Sequence, residues 1–123
     1  MNKVLDLFLD KLVDMYFPDK LPDNEDLENY YSTIKVELMT RDIMRETGLN
    51  DFEQLYGKMS NILDMSIHLP SIYDVNNEWG KNFVDTRVIS SFYLDSISAK
   101  IFFTPFFVEL YRTMWRHWQE TQA

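Results

Sequence analysis

Apolar residues recur every three to four positions through most of the chain, which is the spacing of one face of a helix. Leu5, Phe8, Leu9, Leu12 and Tyr16 share a face over residues 3–17, with Asn2 placed to cap the first turn. Pro18 and Pro22 then end the helix and bracket a polar connection. A second stripe, Leu27, Tyr31, Ile34 and Leu38, predicts a helix that starts after Asn24. Its first turns are acidic and Arg41 and Arg45 stand near its end, both the favourable sign for the helix dipole. Gly48 suits the left-handed residue that follows a helix.

The third segment has the longest unbroken period: Phe52, Leu55, Tyr56, Met59, Ile62, Leu63 and Ile67. Asn50 and Glu53 match a capping box, and Pro70 is the expected stop. Gly57 inside it suggests close helix packing. Residues 69–82 hold Asn76, Asn77 and Gly80 and predict an irregular loop. In residues 83–103, Val88, Phe92, Ile97 and Ile101 fit a helix. The same stretch is rich in β-branched and aromatic residues, so a hairpin turning near Asp95–Ser96 is the alternative. Thr104–Pro105 is a strong start signal for a last helix carrying Phe107, Leu110, Tyr111, Met114 and Trp118, with residues 119–123 frayed. The expected fold is all-α: one domain over residues 1–123, a compact bundle of about five helices with one irregular loop. The alternative is α+β, with a hairpin in residues 86–103.

Composition narrows the chemistry. The chain has 123 residues, enough for one core, and no cysteine, so disulfides, thiolate metal sites and a cysteine nucleophile are excluded. Three scattered glycines cannot build a P-loop or a dinucleotide-binding turn. There is no Glu-x-x-His pair, no H-E-x-x-H and no G-x-S-x-G elbow. His68 follows Asp64 by four residues and His117 precedes Glu120 by three. Each pair is two ligands short of a metal site, and His68 at a helix end is explained by the dipole alone. Neither a metal nor a cofactor is expected, and the chain reads as non-enzymatic. Asp6, Asp10 and Asp14 interrupt the apolar N-terminus, which argues against a signal peptide. No stretch approaches the ~20 apolar residues of a membrane span. The expectation is a soluble cytoplasmic protein.

Charge supplies the first candidate surface. The formal net charge is −8, which argues against direct nucleic-acid binding. Six of those net charges fall in residues 6–28, where Asp6, Asp10, Asp14, Asp19, Asp23, Glu25, Asp26 and Glu28 meet only Lys11 and Lys20. Asp6, Asp10 and Asp14 stand one helical turn apart and form a ridge. Such a ridge fits a basic groove on a larger protein, including one built for nucleic acid; the plain alternative is a solvated face that keeps the chain soluble. Aromatic residues supply the second. Seven lie between Phe102 and Trp118, and one helix cannot turn Phe106, Phe107, Tyr111, Trp115 and Trp118 all toward a single neighbour, because consecutive residues differ by about 100° around its axis. Either that helix is central or one side meets a partner. Trp79, in the predicted loop, either plugs the end of the bundle or anchors a partner.

In size, charge and lack of a catalytic motif the chain is similar to small acidic inhibitors encoded by phages and mobile elements. That likeness of class implies an inhibitor or regulator that docks on a larger partner, such as a nucleic-acid-handling enzyme, and covers its basic groove by charge mimicry. The alternative is an assembly subunit that self-associates, or joins a scaffold, through its aromatic C-terminal helix.

Overall fold

The computed structural model describes residues 2–17, 34–70 and 83–122. The chain is α+β, which corrects the all-α bundle of five helices. In order, the elements are α1 (Lys3–Tyr16), β1 (Lys35–Met39), α2 (Thr40–Thr47), α3 (Phe52–Leu63), β2 (Ser66–Pro70), β3 (Phe83–Arg87), β4 (Ile89–Leu94), β5 (Ser98–Phe103) and α4 (Pro105–Gln122). Three strands form an antiparallel sheet in the order β1-β5-β4, and β2 pairs antiparallel with β3.

α1 forms where its stripe predicts it. The N–H groups of Val4 and Leu5 donate to Asn2 Oδ1 at 3.0 and 3.2 Å, so two of the four orphan donors of the first turn are satisfied. The Asn2 amide donates onward to the Lys58 carbonyl (3.0 Å) and ties this end to α3. Phe17 closes the helix in an extended conformation, as the residue before a proline favours.

The described part of the second predicted helix, from Ile34 on, is a strand followed by a short helix; Leu27 and Tyr31 of its stripe lie outside the described residues. Its stripe used Ile34 and Leu38 and skipped Val36, yet Val36 is fully buried. Lys35, Val36, Glu37 and Leu38 alternate out and in, the period of a strand. Val36 pairs with Ile101 and Leu38 with Ala99 on β5. Helix begins only at Thr40, whose hydroxyl donates to the Asp95 carbonyl (2.8 Å), and it ends at Gly48 with φ 72°. That is the left-handed residue expected there, and a Cβ at this φ is strained.

α3 is also shorter than its period suggests. Its cap is Asp51, whose carboxylate accepts from Glu53 N–H (2.8 Å), and not Asn50. Leu55, Met59 and Ile62 are fully buried, whereas Phe52 and Tyr56 are exposed. Ile67 and His68 belong to β2, so Pro70 ends a strand instead of a helix. Open space surrounds the position of a Cβ on Gly57, so that glycine marks no close packing.

Residues 83–103 form three strands instead of a helix. β4 and β5 make the hairpin that stood as the alternative reading. Asp95 shapes its turn: Oδ1 accepts from the N–H groups of Ile97 and Ser98, both at 2.7 Å, and Tyr93 donates to Oδ2 at 2.8 Å. The Ser98 N–H, then the Tyr93 hydroxyl and the Ile97 N–H, hold the Asp95 carboxyl below its ordinary range. Alternation along this stretch looks poor because of a bulge. Ile89 faces Phe103 and Ser91 faces Phe102, leaving Ser90 as the extra residue. After it, Phe92 and Leu94 carry the inward face that Ile89 began.

Ala99, Ile101 and Phe103 of β5 lie at the centre of the core with Phe8, Leu12, Ile43 and Val108. α1 packs beside β1 and α3, and α3 packs on β4, where the Tyr56 ring meets Phe92 edge-on. α4 starts as predicted: the Thr104 hydroxyl accepts from Phe107 N–H (3.4 Å) and donates to the Arg87 carbonyl (2.6 Å). It runs to Gln122, past the expected fraying point.

Candidate binding surfaces

The acidic ridge is built by α1. Val4, Phe8 and Leu12 point inward, so helical geometry places Asp6, Asp10 and Asp14 on the opposite crest. Asp10 and Asp14 are exposed and Asp6 is half-buried. A different hollow flanks the crest on each side.

On one side lies a groove of about 200 Å³ between α1, β1 and α2. Its floor is apolar: Ile43 is buried, and Leu7 and Leu38 are half-buried. Asp10 and Asp14 form one bank. Asp42 and Glu46, one turn apart on α2, form the other. Lys11 is the one base lining it among the described residues. Arg45 pairs with Asp42 at 3.1 Å in an exposed contact, which contributes at most about 1 kcal/mol and is easily exchanged. Asp42 and Glu46 were absent from the sequence-derived surface. Their only signal was four-residue spacing in a segment read as the end of a longer helix.

On the other side is a cleft of about 270 Å³ between α1 and α4. Leu5 and Leu9 face Leu110, Tyr111 and Met114 across it, above Ile67 and Val88. Burial first, and then the nearby charges of Asp10 and Asp6, raise the Tyr111 phenol above its ordinary 10.0. A raised folded-state value means that ionisation favours the unfolded chain. The contribution of Tyr111 to stability is therefore complete below pH 10 and is lost as pH rises through the folded value. Replacing Asp6 and Asp10 by Asn should move the Tyr111 titration part of the way back toward 10.0, leaving the part due to burial. Ring-carbon NMR across alkaline pH measures this; an unmoved titration would mean that neither charge is felt at the phenol.

The aromatic residues divide by depth. Phe107 is buried and stacks between Phe103 and Tyr111, so it offers no surface. Tyr111 and Trp115 are half-buried and both touch Phe17. Trp118 is 56% exposed, one turn beyond the exposed Met114. Asp19, Asp23, Glu25, Asp26, Glu28 and Trp79 lie outside the described residues.

His68 sits in a strand and not at a helix end. It faces Asp85 across the β2–β3 pair, with Nδ1 against the Asp85 carboxylate. His117 and Glu120 are exposed on α4. Among the described residues no group of three or more His, Asp and Glu side chains is placed to hold a metal ion. No helix among them is long and apolar enough to cross a membrane. Comparison with models of protein families, with curated proteins and with solved structures finds no match for this chain.

Proposed function

We propose that this chain is a non-enzymatic binding domain that docks on a basic surface of a larger protein. One observation carries the reading: α1 and α2 bring Asp10, Asp14, Asp42 and Glu46 together around one apolar groove. Acids scattered for solubility have no reason to face each other across exposed apolar carbon. Long-range attraction would steer such a flank onto a positive surface. A nucleic-acid-handling enzyme presents such a surface, and covering it makes the domain an inhibitor or regulator.

The test is capture from lysate of the source cells with the wild type and with the D10N/D14N/D42N/E46Q variant in parallel. Exposed ion pairs contribute about 0.2–1 kcal/mol each, so losing four weakens binding about fourfold at the least and several hundredfold at the most. The expected result is a basic protein retained at low salt by the wild type alone. It should be released near ~1 M salt, where the Debye length is about 3 Å. The variant relieves like-charge repulsion and gives up the exposed Asp42–Arg45 pair, which contributes at most about 1 kcal/mol, so it stays folded by circular dichroism. The same protein captured equally by both forms would end this reading. A second reading has its own observation: Met114 and Trp118 expose apolar surface side by side on α4. Self-assembly through that helix predicts a second copy retained through the salt wash and lost in Trp118→Ser.

A further inference from the structure

We infer that the groove between α1 and α2 takes a short basic helix of a partner protein, with one apolar side chain on the groove floor and a lysine or arginine against each bank. This rests on the binding-domain reading and specifies which part of a partner the domain holds. The floor sets the anchor. Leu7, Leu38 and Ile43 offer carbon and no polar group, and the space is about 200 Å³. An apolar cavity of about 150 Å³ holds one benzene, so this groove fits a single leucine- or phenylalanine-sized side chain.

The banks set the flanks. Asp10 and Asp14 stand one turn apart on α1, as do Asp42 and Glu46 on α2. Carboxylates on each bank are therefore about 6 Å apart. Basic residues at i and i+4 around one apolar position reproduce that spacing, and a helix laid between two helices is a recurrent mode of peptide recognition. Charge decides against the other candidates. Four carboxylates against Lys11 repel a phosphate backbone and an anionic membrane alike. A flat basic groove would meet the exposed crest of α1, but it would leave the apolar floor wet; a projecting helix covers both.

The probe is a synthetic amidated peptide of about 15 residues, with leucine and lysine at helical spacing, titrated into the full chain labelled with nitrogen-15. Amide shifts should gather in residues 7–14 and 38–46. Replacing the central leucine of the peptide by alanine should weaken binding about tenfold, the effect of one buried side chain. D42N/E46Q should weaken it about twofold to thirtyfold at low salt. Shifts at Leu5, Leu9 and Met114 instead, or an unchanged affinity without the leucine, would overturn the groove assignment. That failure is separable from failure of the binding-domain reading. Capture that still depends on the four acids, while the peptide seats elsewhere, removes only the groove assignment; capture indifferent to the four acids removes the reading beneath it.

Discussion

Ile101→Ala is expected to lower the free energy of unfolding by about 2–5 kcal/mol, and Ile97→Ser, four residues earlier, by less than about 0.5 kcal/mol. A helix over residues 83–103 would place both isoleucines on one stripe and make both sensitive. The strand separates them. Ile101 is fully buried at the centre of the sheet, between Val36 on β1 and Phe92 on β4. Ile97 is 71% exposed in the turn that Asp95 closes. Truncating Ile101 leaves a cavity that β1 and β4, each hydrogen-bonded to β5, cannot easily close. Truncating Ile97 removes carbon that water already surrounds. Urea denaturation of the two variants reads the difference directly. Equal losses at the two positions would contradict the strand. Total stability of a domain is typically about 5–15 kcal/mol, so the Ile101 variant loses a large share of it.

A helix was legible where a local signal fixed its start, at Asn2 for α1 and at Thr104–Pro105 for α4. It was also legible where glycine fixed an end, at Gly48. Strands were hidden for two physical reasons. β1 is five residues long, and Ile34 and Leu38 mimic a helical step while the deciding residue, Val36, stands between them. In β4 the extra residue at Ser90 shifts the phase of the alternation, so neither half shows a clean period of two. Pairing between β1 and β5 joins Val36 to Ile101, far apart in sequence, and no local pattern encodes that distance.

The candidate surface was half legible for a related reason. Repeats along one helix are visible in sequence, so the ridge of Asp6, Asp10 and Asp14 was found. The opposing bank of Asp42 and Glu46 comes from another element and reaches α1 only through the fold. The aromatic count was visible, but depth was not. Phe107 completes the core, while Trp118 reaches water.

Phe17→Ala is expected to cost about 3–5 kcal/mol and to loosen α4 before the sheet. Phe17 is 4% exposed, and its ring centre lies 6.0 Å from Tyr111 and 5.4 Å from Trp115. Each such aromatic pair contributes about 0.5–1.5 kcal/mol beyond the area it buries. Those two contacts join the last residue of the α1 segment to the middle of α4. Upstream, the same two helices are parted by the apolar cleft that Leu5, Leu9, Leu110 and Tyr111 line. Removing the Phe17 ring therefore opens the α1–α4 seam at its better-packed end. Hydrogen exchange should show the amides of residues 108–118 exchanging faster relative to those of β5, whose bonds lie between two strands. Uniform acceleration of both would mean that Phe17 supports the whole core and not this seam. The groove on the far side of α1 is lined by Leu7, Leu38 and Ile43, whereas the Phe17 ring meets Tyr111 and Trp115 of α4. Peptide affinity at the groove should therefore survive Phe17→Ala at temperatures where the variant remains folded, whereas association through Trp118 should not. The substitution thus separates the two surfaces that α1 divides, and it shows which of them a partner uses.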